Sequence, residues 1–167
     1  MTSKFIKSGT FIIEYCGEVI DSEELTNRLT VMNRAKPKPG HIQSSIHPHF
    51  YMLSLNSNET IDASNYGNIS RFMNHSCDPN CSAQMWAIPE KSLIDGNEII
   101  YKNKMGIFAS RDILINEQIT IDYKAERSST EDEPCFCQSV NCRGSLIDKK
   151  ENNKSDIKSS INKNDEQ

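Results

Sequence analysis

The residues best suited to chemistry in this chain sit in three places. Near the C-terminal end, Cys135, Cys137 and Cys142 form a C-x-C-x4-C cluster. Thiolates this close can chelate one Zn2+ ion at ~2.3 Å per bond, but a structural site wants four ligands in a tetrahedron. Cys77 and Cys81 flank a proline in Asn74-His-Ser-Cys-Asp-Pro-Asn-Cys81, so a turn could bring either one to the cluster. Spacing favours neither, and it leaves open buried free thiols, or disulfides in an exported protein. Cys16, beside a predicted buried strand, reads as a core thiol. The second place is Gly67-Asn-Ile-Ser-Arg-Phe-Met-Asn-His-Ser-Cys-Asp-Pro-Asn80, dense in Asn, His, Ser and Arg. Asn74 and His75 offer donors and acceptors there, which serve a structural network as readily as a site. The third is Asp122-Tyr123, at the end of a predicted strand, where a tyrosine ordinarily packs.

The elements that must position these residues are short. Thr10-Phe-Ile-Ile-Glu-Tyr15 reads as a buried strand rich in β-formers, followed by a bend at Gly17. Asp21-Ser-Glu-Glu24 has the pattern of a capping box, with Leu25, Leu29 and Met32 at helical spacing behind it. Lys36-Pro-Lys-Pro-Gly40 ends that helix, and a loop runs to His49. Phe50–Leu55 and Thr60–Asp62 read as strands, and Ile69, Phe72 and Met73 as one or two helical turns. Trp86–Ile88, Glu98–Tyr101, Met105–Ala109 and Ile119–Tyr123 read as further short strands. The fold class expected is mostly β with short helices.

Composition narrows the functional classes. The chain has 167 residues, 36% hydrophobic and 25% charged, which predicts one domain with a modest core. Net charge is −4, against a dominant surface for duplex phosphates. No apolar run approaches the ~20 residues of a membrane span. The N-terminus lacks the apolar stretch of a signal peptide, so six cysteines suggest metal or redox chemistry before a disulfide framework. Residues 148–167 carry five acids, five bases and only two apolar side chains, too few to offset ordering entropy. A disordered tail is expected there.

Taken together, four segments resemble the SET-domain protein lysine methyltransferases. They are Glu14-Tyr-Cys-Gly-Glu-Val19; the Gly67–Cys77 segment with Asp78-Pro-Asn80; Gly106-Ile-Phe-Ala-Ser-Arg-Asp112 leading to Ile119-Thr-Ile-Asp-Tyr123; and the terminal C-x-C-x4-C of a post-SET segment. Phe50–Leu55, Ile61-Asp62 and the Cys81–Trp86 stretch look most like the subgroup acting on lysine 36 of histone H3. The resemblance implies a SET (β-clip) fold of several small sheets with a pseudoknot and a zinc-bound post-SET loop. It implies a SET domain over 1–125, a post-SET zinc segment over 131–147 and the tail over 148–167.

The resemblance also assigns roles. Cys77, Cys135, Cys137 and Cys142 would hold one structural Zn2+, docking the post-SET loop and closing the site; Cys81 would be spare. Tyr123 would orient the lysine amine, with Tyr15 lining the same channel and Leu53 and Ile121 on its walls. Ile121 stands where the family has Phe or Tyr, and without a hydroxyl there multiple methylation is expected. His49, Phe50, Tyr51, Arg71, Asn74, His75 and Leu146 would contact S-adenosylmethionine. Gln138 departs from the family's glycine and is tolerable if that backbone needs no positive φ. The family's glycine-containing strand before Thr10 is not found, so an N-terminally truncated domain is expected. The partners implied are a histone tail and the nucleosome, with no sequence-specific nucleic-acid binding and no membrane. The protein implied is a nuclear, chromatin-associated monomer. The alternatives are a degenerate, non-catalytic chromatin-binding module, or the same enzymology on another lysine.

Overall fold

The computed structural model describes residues 1–34, 51–91, 99–123 and 134–146. The expected tail over 148–167, the expected loop up to His49, and residues 92–98 and 124–133 lie outside them. So do two of the expected cofactor contacts, His49 and Phe50.

The described elements are mostly β. In order they are β1 (Phe11–Tyr15), β2 (Glu18–Asp21), α1 (Ser22–Arg34), β3 (Met52–Ser54), β4 (Glu59–Asp62), a 3-10 turn (Ile69–Phe72), β5 (Asn74–His75), β6 (Cys81–Lys91), β7 (Ile99–Ala109) and β8 (Thr120–Ile121). They form three small sheets, ordered β1-β7-β6, β2-β4-β3 and β5-β8. The first two are antiparallel; β5 and β8 run parallel, pairing Asn74 with Thr120 and His75 with Ile121.

The chain passes from the first sheet to the second at Gly17. A Cβ there would lie 2.5 Å from the Asp62 carbonyl oxygen, so only glycine lets β1 turn this tightly over the end of β4. Asp21 caps α1 by accepting the Glu24 amide at 2.8 Å. The reciprocal half of the capping box is diverted: the Glu24 carboxylate accepts from Arg28 Nε at 2.8 Å. Arg28 Nη1 also donates to Glu18 at 2.9 Å and to Asp62 at 2.7 Å, which ties the helix to its sheet. Asp62 is buried. Burial opposes its charge, but Ser64 and Arg28 outweigh that and hold its carboxyl below the ordinary carboxylate value.

The core gathers between the first two sheets, around Tyr15, Leu55, Ile61, Met105, Ile107, Ile113 and Ile121. Asn80, only 1% exposed, staples the strand carrying Ile121 to this core. Its Nδ2 donates to Gln118 O at 2.8 Å and to Glu117 Oε1 at 3.0 Å, and its Oδ1 accepts the Thr120 amide at 2.9 Å. That is the work of the asparagine in Asp78-Pro-Asn80.

Several expectations need correction. The short strands over Trp86–Ile88 and Met105–Ala109 are parts of one hairpin with two 11-residue strands. Polar residues and Pro89 interrupt its apolar pattern, but both faces of its outer half are exposed, and β6 is an edge strand that tolerates proline. Ile119–Tyr123 shrinks to Thr120–Ile121, and Phe50–Leu55 to Met52–Ser54. β1 is half-buried rather than buried, since β7 covers only one of its edges. Cys16 is not a core thiol. It is partly exposed and lines a cleft of about 470 Å3 where β1 parts from β7. Cys81 is in the core.

Candidate active site and metal centre

Two tyrosines arrive from opposite ends of the chain. Tyr15 closes β1, and its phenol donates to the Tyr51 carbonyl at 3.0 Å. Tyr123 lies two residues past β8, and its phenol donates to the Met73 carbonyl at 2.7 Å. Burial raises the pKa of both phenols; Tyr15 is raised further by Tyr123, and Tyr123 by Tyr51. Both therefore stay protonated at neutral pH. Each spends its single donor on a carbonyl, so toward any other group its oxygen can only accept.

The other expected residues fall around this pair. Leu53 sits on β3 opposite Ile61 and packs against the core, and Ile121 is 5% exposed beside His75. The Arg71 guanidinium stacks 4.3 Å from the centre of the Tyr51 ring and donates to Ser64 O at 2.7 Å. Asn68 accepts from both the amide and the hydroxyl of Ser70 and donates to Glu14 O at 2.8 Å. This fixes the 3-10 turn against β1. Asn74 is held on β5 by its pairing with Thr120, and its side chain is exposed.

The His75 ring is buried between two regions. Its Nδ1 accepts the Tyr123 amide at 3.2 Å, and its Nε2 lies 3.3 Å from Cys77 Sγ. An acceptor at Nδ1 puts the imidazole proton on Nε2, facing that sulfur. Burial lowers the His75 pKa, against the pull of Asp122, whose carboxylate is 3.5 Å away.

Beyond His75 the thiols converge. Ligand atoms of His75, Cys77, Cys135 and Cys137 all lie within 4.8 Å of one another. Cys77 and Cys135 sulfurs are 3.6 Å apart, near the ~3.8 Å edge of a tetrahedron with 2.3 Å metal–sulfur bonds. Amides point at sulfur throughout: Cys77 N at Cys137, Arg143 N at Cys77 and Gly144 N at Cys142, each at 3.4 Å. Burial opposes a Cys137 thiolate, but the Cys77 amide and the Ser139 hydroxyl overcome it and pull its pKa below the ordinary thiol value. This cluster could hold a metal ion. Of the four cysteines expected as ligands, three belong to it. Cys142 sits just outside, its Sγ 3.8 Å from Cys135 O, and His75 stands in its place.

The model of the SET domain family matches residues 1–124. This chain belongs to the SET-domain family. It is 37% identical over 144 residues to the histone-lysine N-methyltransferase SETD2 of Homo sapiens, covering 86% of this chain and 5% of that protein. It is 37% identical over 139 residues to the histone-lysine N-methyltransferase Set2 of Drosophila melanogaster, covering 83% and 5%. It is 38% identical over 141 residues to an H3 lysine-36 specific histone-lysine N-methyltransferase of Candida glabrata, covering 84% and 17%. The chain thus spans a small part of each of these relatives.

One residue of this SET-domain site escapes a reading by motif. Arg143 forks onto the Asp122 carboxylate, with Nη1–Oδ2 at 2.6 Å and Nη2–Oδ1 at 2.9 Å. Its Nη2 also reaches Leu146 O at 3.4 Å, holding the end of the loop where Leu146 is nearly buried. The only signal available was an arginine directly after the last cysteine and an aspartate directly before Tyr123.

Proposed function

We propose that this chain is the catalytic region of an S-adenosylmethionine-dependent lysine methyltransferase acting on histone H3, of the lysine-36 type, in the nucleus and as a monomer. The observation that carries the reading is the pair of neutral phenols at the core, buried Tyr15 and partly buried Tyr123, each donating its proton to a backbone carbonyl. Bound S-adenosylmethionine supplies a methyl group made electrophilic by its sulfonium. The protein's part is to deliver a neutral, aimed amine. Leu53, Ile121 and the ring of Tyr15 give the lysine stem an apolar lining, and burial there lowers the amine's pKa so that it sheds its proton to solvent on entry. The two phenol oxygens accept its remaining N–H bonds and point its lone pair. Neither phenol acts as a base, since both are held protonated.

The residues present fit the cofactor. Asn74 presents an exposed amide from a strand fixed by pairing, a donor and an acceptor suited to the amino-acid end of the molecule. They fit zinc as well, with amide donors on three sulfurs. We assign the ligands as Cys77, Cys135, Cys137 and Cys142. The protonated Nε2 of His75 cannot ligate while its Nδ1 accepts from Tyr123, and Cys142, its Sγ 3.8 Å from the Cys135 carbonyl, is the loop's remaining thiol.

The test is methyl transfer to recombinant nucleosomes and free histones, read by mass spectrometry. The wild-type chain should modify H3 and fail on H3 whose lysine 36 is arginine. Tyr123→Phe should lower kcat by about 100-fold, in line with loss of one oriented polar group at a reacting centre. Asn74→Ala should raise the cofactor KM. Ile121, with no hydroxyl, supports products beyond the monomethyl state; Ile121→Tyr should shift the product toward monomethyl-lysine. Unchanged rates in both the Tyr123 and Asn74 variants would overturn the site.

A further inference from the structure

Tyr123 lies two residues past β8, and side chains from two other regions of the chain bear on it. Its amide donates to His75 Nδ1 and its phenol to the Met73 carbonyl, while the carboxylate of its neighbour Asp122 is gripped by both guanidinium nitrogens of Arg143. Arg143 belongs to the cysteine loop, and its own amide donates to Cys77 Sγ. His75 Nε2 lies 3.3 Å from the same sulfur. The contacts close a ring: Cys77 to Arg143, Arg143 to Asp122, Asp122 by covalent bond to Tyr123, Tyr123 to His75, and His75 back to Cys77.

We propose that Arg143 is a positioning residue for Tyr123, its amide on the Cys77 sulfur and its guanidinium on Asp122 setting the tyrosine and the metal loop in one register. The proposal rests on the methyltransferase reading for its catalytic half only. A forked guanidinium–carboxylate pair fixes both distance and plane, where an ammonium on a flexible stem fixes neither. The pair is mostly shielded, with side chains 22% and 18% exposed, so solvent competes weakly for it. The Cys77 amide also donates to Cys137 Sγ, so a shift at Cys77 is felt at a second thiolate of the loop.

The experiment uses the full chain loaded with zinc, and four variants: Arg143→Ala, Arg143→Lys, Asp122→Asn and Arg143→Ala with Asp122→Asn. The first readout is the rate of zinc release to a metallochromic chelator. Asp122 is not a ligand, yet Asp122→Asn should speed release about tenfold, the order seen when partners of metal ligands are lost. The double variant should release zinc no faster than Arg143→Ala alone, because both remove one linkage. The second readout is steady-state methyl transfer to histone H3. Arg143→Lys should lose about tenfold in kcat with the histone KM within about twofold, the split expected when a reacting group is misaimed and binding is intact. Asp122→Asn is nearly isosteric, so it tests the linkage even where Arg143→Ala does not fold. Zinc release from Asp122→Asn at the wild-type rate, or additive effects in the double variant, overturns the proposal. If the wild-type chain methylates no histone, the methyltransferase reading falls while the zinc-release comparison still decides the linkage.

Discussion

The SET core and the cysteine loop solve the same problem by opposite means. In the core, Ala63, Ile107 and Ile113 are fully buried, and order follows from apolar area removed from water. In the loop, Phe136 and Val140 are 82% and 101% exposed, and only Ser145 and Leu146 reach the interior. Burying one leucine contributes roughly 1.5–3 kcal/mol. Fixing each loop residue costs about 1 kcal/mol of backbone entropy. The loop therefore cannot hold itself by packing. It depends on the thiol cluster, the Arg143 fork and two internal backbone bonds, Cys135 N to Gly144 O and Cys142 N to Ser139 O. The lesson is one of separable stabilities: the site is assembled where a self-sufficient core meets a loop that is ordered from outside.

Metal removal should break this pair of regions apart most completely. With zinc stripped by a chelator, amides of residues 134–146 should exchange at rates near those of an unfolded peptide. Amides of β1 and β7 should keep their protection, since their stability comes from burial. Hydrogen exchange read by mass spectrometry checks this, and loss of protection in both regions together would contradict it. The converse break is Asn80→Ala. It leaves the partly buried Thr120 amide and the Gln118 carbonyl without their Asn80 partner, at a cost of about 2 kcal/mol to the core. Denaturant unfolding should show that loss while zinc stoichiometry of the folded chain stays at one.

Much of the core was legible because its cues are local. The β-rich run over Phe11–Tyr15, the Asp21 cap and the bend at Gly17 each follow from a few adjacent residues, and each is present. The β6–β7 hairpin was not, because a ribbon exposed on both faces needs no alternating pattern. The site was legible in parts. Asn74, Cys77 and Tyr123 stand out in dense motifs and Tyr15 only through the family resemblance, while the contacts around Tyr123 depend on pairings that span the chain. Arg143 and the His75 side chain were missed for the same reason. Their roles are set by partners in space, Asp122 and the Tyr123 amide, which spacing along the chain does not encode.

Acid should sharpen the contrast by dissolving the two regions in order. The loop goes first, since protons compete with metal for its thiolates. The core holds longer through Glu117. Arg111 at 2.6 Å, then the Asn80 amide and the Leu114 N–H, bring its pKa down to about 2 from the model-compound 4.5. A carboxyl depressed on folding adds stability that is complete above the unfolded pKa and is lost as pH falls through the folded one. The Glu117 contribution should therefore fade between about pH 4.5 and about pH 2. Glu117→Gln should flatten the pH dependence of unfolding free energy in that window and leave zinc release unaltered.

The smallest expected effect concerns a single backbone angle in the loop. Gln138 sits at φ 58°, in the left-handed region, so the condition under which glutamine would replace glycine without cost is not met. Asn116 shares that conformation at φ 64° in an exposed turn outside the loop, and asparagine is among the residues that tolerate it. A glutamine there is disfavoured by roughly 1–2 kcal/mol through its Cβ. Gln138→Gly should relieve that strain, less the roughly 0.5–1 kcal/mol that glycine's freer unfolded chain takes back. The net gain of about 0.5 kcal/mol corresponds to a zinc affinity about twofold tighter, because loop order and metal binding are one equilibrium. Core unfolding should not move. A gain in the core with no change in zinc affinity would mean that the two regions share their stability after all.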